Sequence, residues 1–375
     1  MQIAILGAGM VGRAMAIDLA ADYNVTSFDI SDYSLQLLAE KNKNIKAIKA
    51  DLRDYSSYTK LLNGFDFVIS AVPGFMGYKT LEAIILARKN VVDISFFPEN
   101  ALELDKLAKE NDVTAIVDCG VAPGMSNLIL GYHNERMKVT DFECLVGGLP
   151  KKRIYPFEYK APFSPVDVLE EYTRPARYVE NNHIITRPAL SEAELIDFDK
   201  VGTLESFNTD GLRSILFTMS HIPNMKEKTL RYPGHIDLMK ALIKTGFLSN
   251  TPVSFEGQQV SPLEFTSSLL FDQWKLGETE EEFTLMRIKV SDDKKTVCYD
   301  LYDEYDSTTQ TSSMSRTTGY TCTAALNMLI NKLFTAKGVF PPELVGNDEN
   351  CFNFMLGYLK ERNIHYYKTE SPINA

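Results

Sequence analysis

The stretch Gln2-Ile3-Ala4-Ile5-Leu6-Gly7-Ala8-Gly9-Met10-Val11-Gly12 decides how this chain is read. Residues 2 to 6 form an apolar run of strand length, and Arg13-Ala14-Met15-Ala16-Ile17-Asp18-Leu19 behind the glycines has helical spacing. Gly7-x-Gly9-x-x-Gly12 between a strand and a helix is the pattern of a dinucleotide-binding turn. The first glycine permits the tight turn, the second lets backbone approach a pyrophosphate, and the third lets helix and strand pack closely. Met10 and Val11 open the helix, whose free N–H groups and dipole favour an anion. Three glycines alone also suit a purely structural turn; the flanking strand and helix are what favour the nucleotide.

Working outward, strands are expected at Asn24 to Asp29, Ile45 to Ala50, Phe65 to Ala71, Val91 to Ile94 and Thr114 to Asp118. Helices are expected around Ser34 to Lys41, Gly77 to Arg88 and Ala101 to Glu110. This alternation predicts an α/β fold, a Rossmann-type doubly wound parallel sheet. Asp29 ends the second strand about 20 residues beyond the glycine turn, where a carboxylate accepts hydrogen bonds from ribose hydroxyls. No arginine directly follows to neutralise a 2′-phosphate, so the cofactor expected is NAD. Asp51-Leu52 either edges the adenine or is an ordinary turn. Ala71-Val72-Pro73 lies at the carboxyl edge of the sheet, where open α/β sheets bind ligands, and is expected beside the nicotinamide ribose.

After residue 126 the pattern changes to strands that pair locally, joined by connections rich in Pro, Asn and Asp. A second α+β domain with a mixed or antiparallel sheet is expected over 126–319, for substrate binding and oligomerisation. The NAD-binding domain is expected over 1–125, completed by C-terminal helices in 320–375. Ser164-Pro165 reads as a helix start, with Asp167, Glu170 and Glu171 suiting its N-terminal half. Phe283 to Val290 and Thr296 to Tyr302 read as an antiparallel hairpin and a plausible subunit contact. A helix over Cys322 to Phe334, a turn at Gly338-Val339-Phe340-Pro341-Pro342 and a final helix near Asn350 to Arg362 complete the tail, which is expected to pack on the first domain.

With 375 residues, two cores are the better prior. A net charge of −11 without a Lys/Arg-rich run argues against nucleic acid. No apolar segment reaches the roughly 18 residues that span a bilayer, and the N-terminus lacks the marks of an export signal. A cytoplasmic protein without a membrane partner is expected, as a homodimer or higher homo-oligomer. The five cysteines are widely spaced and read as reduced thiols; Cys119 is the one to weigh for reactivity. No His, Asp or Glu cluster has metal-ligand spacing, so no metal is expected.

Longer motifs follow. Asp93-Ile94-Ser95, Cys119-Gly120-Val121-Ala122-Pro123-Gly124-Met125-Ser126-Asn127 and Val146-Gly147-Gly148-Leu149-Pro150 resemble the saccharopine dehydrogenase/reductase superfamily. Tyr172-Thr173-Arg174-Pro175-Ala176-Arg177, Thr209-Asp210-Gly211-Leu212-Arg213-Ser214, Leu230-Arg231-Tyr232-Pro233-Gly234-His235 and Ser312-Ser313-Met314-Ser315-Arg316-Thr317-Thr318-Gly319 are similar to its L-lysine 6-dehydrogenase branch. That resemblance implies NAD-dependent oxidation of the lysine ε-amine to the 6-semialdehyde, with release of ammonia. The superfamily's saccharopine reductases carry an acidic residue where this chain has Ala122, which disfavours saccharopine. The alternatives are a saccharopine- or carboxynorspermidine-type reductase condensing an amine with an aldehyde or keto acid, and a non-catalytic NAD-binding sensor.

The implied chemistry sets the remaining expectations. Hydride leaves only a carbon bearing an unprotonated amine, so a base is needed, and His235 at a helix start is the candidate; a helix-capping role is its alternative. A guanidinium suits the substrate's α-carboxylate. Arg213, in an Asp-Gly-Leu-Arg turn, and Arg231 are the candidates; Arg231 and Arg174 equally suit a surface or a subunit contact. Asp93 and Asp210 are candidates for binding the α-ammonium or orienting water, and Gly124 for lining the substrate. Tyr172 and Tyr320 are read as packing residues, and His133, His183, His221 and His365 as structural.

Overall fold

The computed structural model describes residues 1–162 and 165–373, the side chains of 165–167 excepted. Ile3, Ala4, Ile5 and Leu6 are all solvent-inaccessible, as a strand covered on both faces requires. Gln2–Leu6 is thus central in a seven-stranded sheet ordered Gly338–Phe340, Thr114–Ile116, Asn90–Asp93, Phe67–Ser70, Gln2–Leu6, Asn24–Asp29, Lys46–Lys49. Every neighbouring pair in it is parallel. The chain leaves Gln2–Leu6 through the glycines into the helix Met10–Leu19, whose N-cap, Gly9, has no side chain to occupy the first-turn N–H groups.

The second sheet has nine strands and runs Glu194–Phe198, Gly202–Asn208, Asn224–Arg231, Asp141–Pro150, Glu282–Ser291, Lys295–Glu304, Tyr366–Pro372, with Ala176–Glu180 and His183–Arg187 paired off its side. Asn224–Arg231 and Asp141–Pro150 are parallel and their other neighbours antiparallel. The expected hairpin lies inside it as Glu282–Ser291 and Lys295–Glu304. Both outer edges of that hairpin are taken within the chain, by Asp141–Pro150 and Tyr366–Pro372, so neither is open for pairing with another subunit.

The tail departs from its sequence reading in three places. Its first helix is Ser313–Ile330, nine residues earlier at the start than expected, because the Ser312 side chain accepts from the Ser315 N–H and caps it. Gly338–Phe340 is a strand, not a turn; it adds to Thr114–Ile116 and buries Val339. Tyr366–Pro372 is also a strand, so residues 320–375 are not helices alone. The long helix lies against Met10–Leu19: a Cβ on Gly319 would sit 3.1 Å from Met15 Cγ. Asp18 on that helix accepts from Thr323, Tyr358 and Arg362.

The helix expected after Ser164 is Pro165–Thr173. Its proposed cap, Ser164, and the Asp167 side chain lie outside the described residues.

Candidate functional site

The carboxyl edge of the parallel sheet faces the second sheet across a cavity of about 540 Å³. Gly9 to Gly12 and Ala71 to Pro73 line one side of it, and Val146 to Gly148, Thr209 to Gly211, Glu227, Thr229 and Arg231 line the other.

The three glycines of the turn divide their tasks sterically. A Cβ on Gly7 would stand 2.4 Å from the Ala71 carbonyl oxygen, and one on Gly12 would stand 2.2 Å from that of Gly7. Gly9 meets nothing within 4 Å and fronts the cavity. Two glycines therefore permit the fold, while the third keeps open the space a pyrophosphate needs beside uncapped helix N–H groups. The cradle fits a dinucleotide.

Asp29 accepts from the Ala8 N–H at 2.6 Å through one carboxylate oxygen and from the Ser31 N–H at 2.8 Å through the other. Its partner in register on the adjoining strand is Lys49, which pairs with the exposed Asp32 at 2.6 Å. The sheet thus supplies a cation beside Asp29 that linear order concealed, correcting the argument that nothing there can neutralise a 2′-phosphate. Asp51 and Leu52 do not reach the cavity. Asp51 is tied to Arg53 at 2.7 Å, whose hydrogen bond holds its carboxyl down at about 2. Leu52 is buried, and its carbonyl accepts from Tyr58.

On the second sheet, the two-residue period of Asn224–Arg231 places Glu227, Thr229 and Arg231 on one face. Arg231 is buried; it donates to Tyr172 Oη at 2.9 Å and to Glu171 Oε2 at 2.6 Å. Burial raises the Glu171 pKa and the Arg231 charge opposes it. Asp210 takes a two-pronged contact from Arg177, each bond 2.9 Å. Arg174 gives one nitrogen to Glu170 and stands 5.5 Å from the Phe96 ring centroid.

Glu227 differs from all of these. It is 6% exposed, and its carboxylate accepts no hydrogen bond from any described residue. Burial, reinforced by Glu171, Asp210 and Asp118 and opposed by Arg213, pushes its pKa up to about 8.

Four residues expected for catalysis or substrate binding lie elsewhere. Arg213 does not line the cavity: its guanidinium grips Asp118, with the closest contact 2.8 Å, and donates to the Phe97 carbonyl. Asp118 and Arg213 both have positive φ, 51° and 54°, so the clamp holds two residues in a sparsely populated conformation. His235 is buried between the Phe157 carbonyl and Tyr172 Oη, at 2.9 and 3.0 Å. Burial and then Arg231 lower it to about 3, so it is neutral; it stands behind the lining, its ring 5.2 Å from that of Tyr159, with both nitrogens engaged, which opposes a role as base. Asp93 is wholly buried, with Ser95 N and Oγ as donors, and burial raises it to about 7. Gly124, at φ 143°, starts the helix Met125–Asn134 without fronting the cavity; Gly120 to Pro123 do so.

Cys119 is buried, and burial raises its thiol, which opposes reactivity. Among the described residues no group of three or more His, Cys, Asp or Glu is placed to hold a metal ion, and no helix is long and apolar enough to cross a membrane. Sequence reasoning missed Glu227, Asp118, Glu170 and Glu171 as cavity residues. For Glu227 a signal existed: the alternation Glu227-x-Thr229-x-Arg231 once Arg231 is placed in a strand.

Comparison with known proteins agrees with this architecture. Residues 3–116 match the saccharopine dehydrogenase NADP binding domain and residues 120–364 the saccharopine dehydrogenase C-terminal domain. The chain is 24% identical over 283 residues to the mitochondrial alpha-aminoadipic semialdehyde synthase of Mus musculus, covering 72% of this chain and 31% of that protein. It is 30% identical over 268 residues to the NADP(+), L-glutamate-forming saccharopine dehydrogenase of Saccharomyces cerevisiae, covering 66% of this chain and 58% of that protein. That yeast enzyme's solved structure superposes over the whole of both chains with a TM-score of 0.78 at 21% identity, which establishes the shared fold. The carboxyaminopropylagmatine dehydrogenase of a Synechocystis strain is 22% identical over 92% of this chain and 93% of its own length.

Proposed function

The chain belongs to the saccharopine dehydrogenase family, and on that premise we propose that it is a nicotinamide-dependent oxidoreductase acting on a C–N bond of a small, carboxylated amine of net positive charge. The supporting observation is the charge of the cavity. Asp118, Glu170, Glu171, Asp210, Glu227 and Asp272 line it with Arg174, Arg231 and Lys275, and because Arg213 and Arg177 hold Asp118 and Asp210 from outside the lining, Glu227 is the buried acid that no ion pair neutralises. A substrate with more cationic nitrogens than carboxylates complements that wall; saccharopine, with more carboxylates than amino groups, does not.

The dinucleotide fits the cradle of Gly7, Gly9, Met10, Val11 and Gly12, with Ala71, Val72 and Pro73 beside its nicotinamide end. When bound, it supplies hydride exchange with the substrate carbon. Arg174 gives one nitrogen to Glu170 and has further N–H groups for a substrate carboxylate, with Arg231 deeper in the cavity. Asp210, fixed by Arg177, faces the same space. NAD is the proposed cofactor because Asp29 puts a negative charge where a 2′-phosphate would lie, even with Lys49 alongside.

The condensing reaction class is favoured over ε-deamination of L-lysine, since the named relatives include saccharopine and carboxyaminopropylagmatine dehydrogenases. Lysine stays as the second reading because it too carries one carboxylate and an excess of cationic nitrogen. Reduced-cofactor absorbance with carboxyaminopropylagmatine, L-lysine and saccharopine tests the proposal. The carboxylated polyamine is expected to exceed saccharopine in kcat/KM by at least about tenfold, or roughly 1.4 kcal/mol. Preference for saccharopine overturns the charge argument, and lysine turnover with ammonia release selects the second reading. Cofactor binding without hydride transfer to any amine returns the sensor.

A further inference from the structure

Glu227 is a buried carboxyl group without a counter-ion. Of the acids around it, Asp118 is paired with Arg213 at 2.8 Å, Asp210 with Arg177 at 2.9 Å and Glu171 with Arg231 at 2.6 Å. Glu170 is paired with Arg174. No described residue forms an ion pair with Glu227, although it is more than nine-tenths buried and fronts the cavity. The residue packed on it explains how the carboxylate is accommodated. A Cβ on Gly211 would stand 1.7 Å from Glu227 Oε1, so the glycine of the Thr209-Asp210-Gly211 turn vacates the space the carboxylate fills. The same turn is fastened to the strand by the Thr209–Thr229 hydroxyl contact at 3.0 Å.

A buried, unpaired carboxylate is costly for folding and is neutralised by a proton or by a ligand cation. We infer that Glu227 is the group that receives the cationic amine nitrogen of the substrate and accepts its proton. This rests on the proposed reading of the cavity as an amine site.

The groups facing Glu227 are Glu171 from the helix Pro165–Thr173, Asp210 and Arg213 from the loop after Gly202–Asn208, and Asp118 beyond Thr114–Ile116. The three acids favour its protonated form and the arginine opposes them. At pH 7 a carboxyl pushed up to about 8 holds its proton in the empty site. Uptake of R–NH3⁺ then leaves one proton too many between nitrogen and carboxylate. R–NH3⁺ and Glu227–COOH give R–NH3⁺ against Glu227–COO⁻, with H⁺ passing to solvent. Transfer of a second proton from nitrogen to the carboxylate yields R–NH2 and Glu227–COOH, the free amine that oxidation requires, with no change of redox state.

Calorimetry of 1,5-diaminopentane binding at pH 7, repeated in buffers of different ionisation enthalpy, reads this directly. The unmodified protein is expected to release about one proton per diamine bound at this position. Glu227→Gln should abolish that release. Gly211→Ala, which displaces the carboxylate without removing it, should weaken diamine binding by about tenfold while reduced-dinucleotide binding changes less than about twofold. Proton release that persists in Glu227→Gln, or no diamine binding by the unmodified protein, overturns the inference. Proton release in a protein that transfers hydride with no amine keeps Glu227 as a cation site and sinks the oxidoreductase reading instead.

Discussion

On the parallel sheet the cradle is one turn, Gly9, Met10, Val11 and Gly12, while on the mixed sheet the charged residues facing the cavity find their partners far along the chain. Arg231 meets Glu171 from 60 residues away, and Arg213 meets Asp118 from 95. One wall is built of backbone, which needs only glycine and a helix end. The other is built of charged side chains, each of which must be desolvated and given a partner. The first is therefore tolerant of its surroundings, whereas the second depends on its pairs, and this sets the size of the effect expected from breaking each.

The largest effect should come from the clamp between the two walls. Asp118 and Arg213 are each 5% exposed at the side chain, so removing one charge strands the other in a dry site. Arg213→Ala should lower unfolding free energy by about 3–5 kcal/mol in denaturant titration. Asp118→Ala on top should restore part of that loss, because no charge remains stranded. A fully additive double variant would show that the two walls are not coupled through this pair. The original reading of Arg213 as the carboxylate receptor predicts the opposite pattern: little change in stability and a large rise in KM.

The same contrast explains what the sequence made legible. The glycine turn, the period-two strands and the parallel alternation were readable because local spacing and backbone sterics dictate them. The motifs containing Arg213 and His235 are legible too, but the structure places both side chains behind the cavity lining, engaged with other partners. A functional-looking Arg or His has a chemical type visible in sequence, while its partner is set by tertiary packing. Phe157 and Tyr172 consume both ring nitrogens of His235, and Asp118 and Phe97 consume the Arg213 fork. Glu227 was passed over for the converse reason, since a Lys-Glu-Lys run in a strand looks like a solvated face until the neighbouring turn buries it.

A second prediction probes the backbone wall. Gly9→Ala should leave stability within about 0.5 kcal/mol, since its Cβ meets nothing within 4 Å. The same methyl should weaken dinucleotide binding by about a hundredfold, or roughly 2.7 kcal/mol, because it enters the pyrophosphate space. Gly12→Ala, whose Cβ would collide with the Gly7 carbonyl, should lose both. Calorimetric binding and thermal unfolding of the two variants separate these outcomes; equal destabilisation by both would refute the division of tasks.

The smallest effect expected lies where the two styles of construction meet, at Asp29. It is part of the backbone wall through Ala8 and Ser31, yet its charge is read against Lys49, its partner in register. The Lys49 to Asp32 pair is exposed on both sides, and such pairs hold by only about 0–1 kcal/mol. Lys49 is consequently free to leave Asp32 for a 2′-phosphate, which opposes the proposed preference for NAD argued from Asp29. Asp29→Asn removes the charge and keeps an acceptor for one backbone N–H. It should raise the ratio of NADP to NAD affinity by about tenfold, roughly 1.4 kcal/mol. Lys49→Gln should move the ratio the other way by less, and the two changes should offset in the double variant. If the unmodified protein already prefers NADP by more than about tenfold, Lys49 rather than Asp29 governs the choice, and the cofactor assignment must change with it.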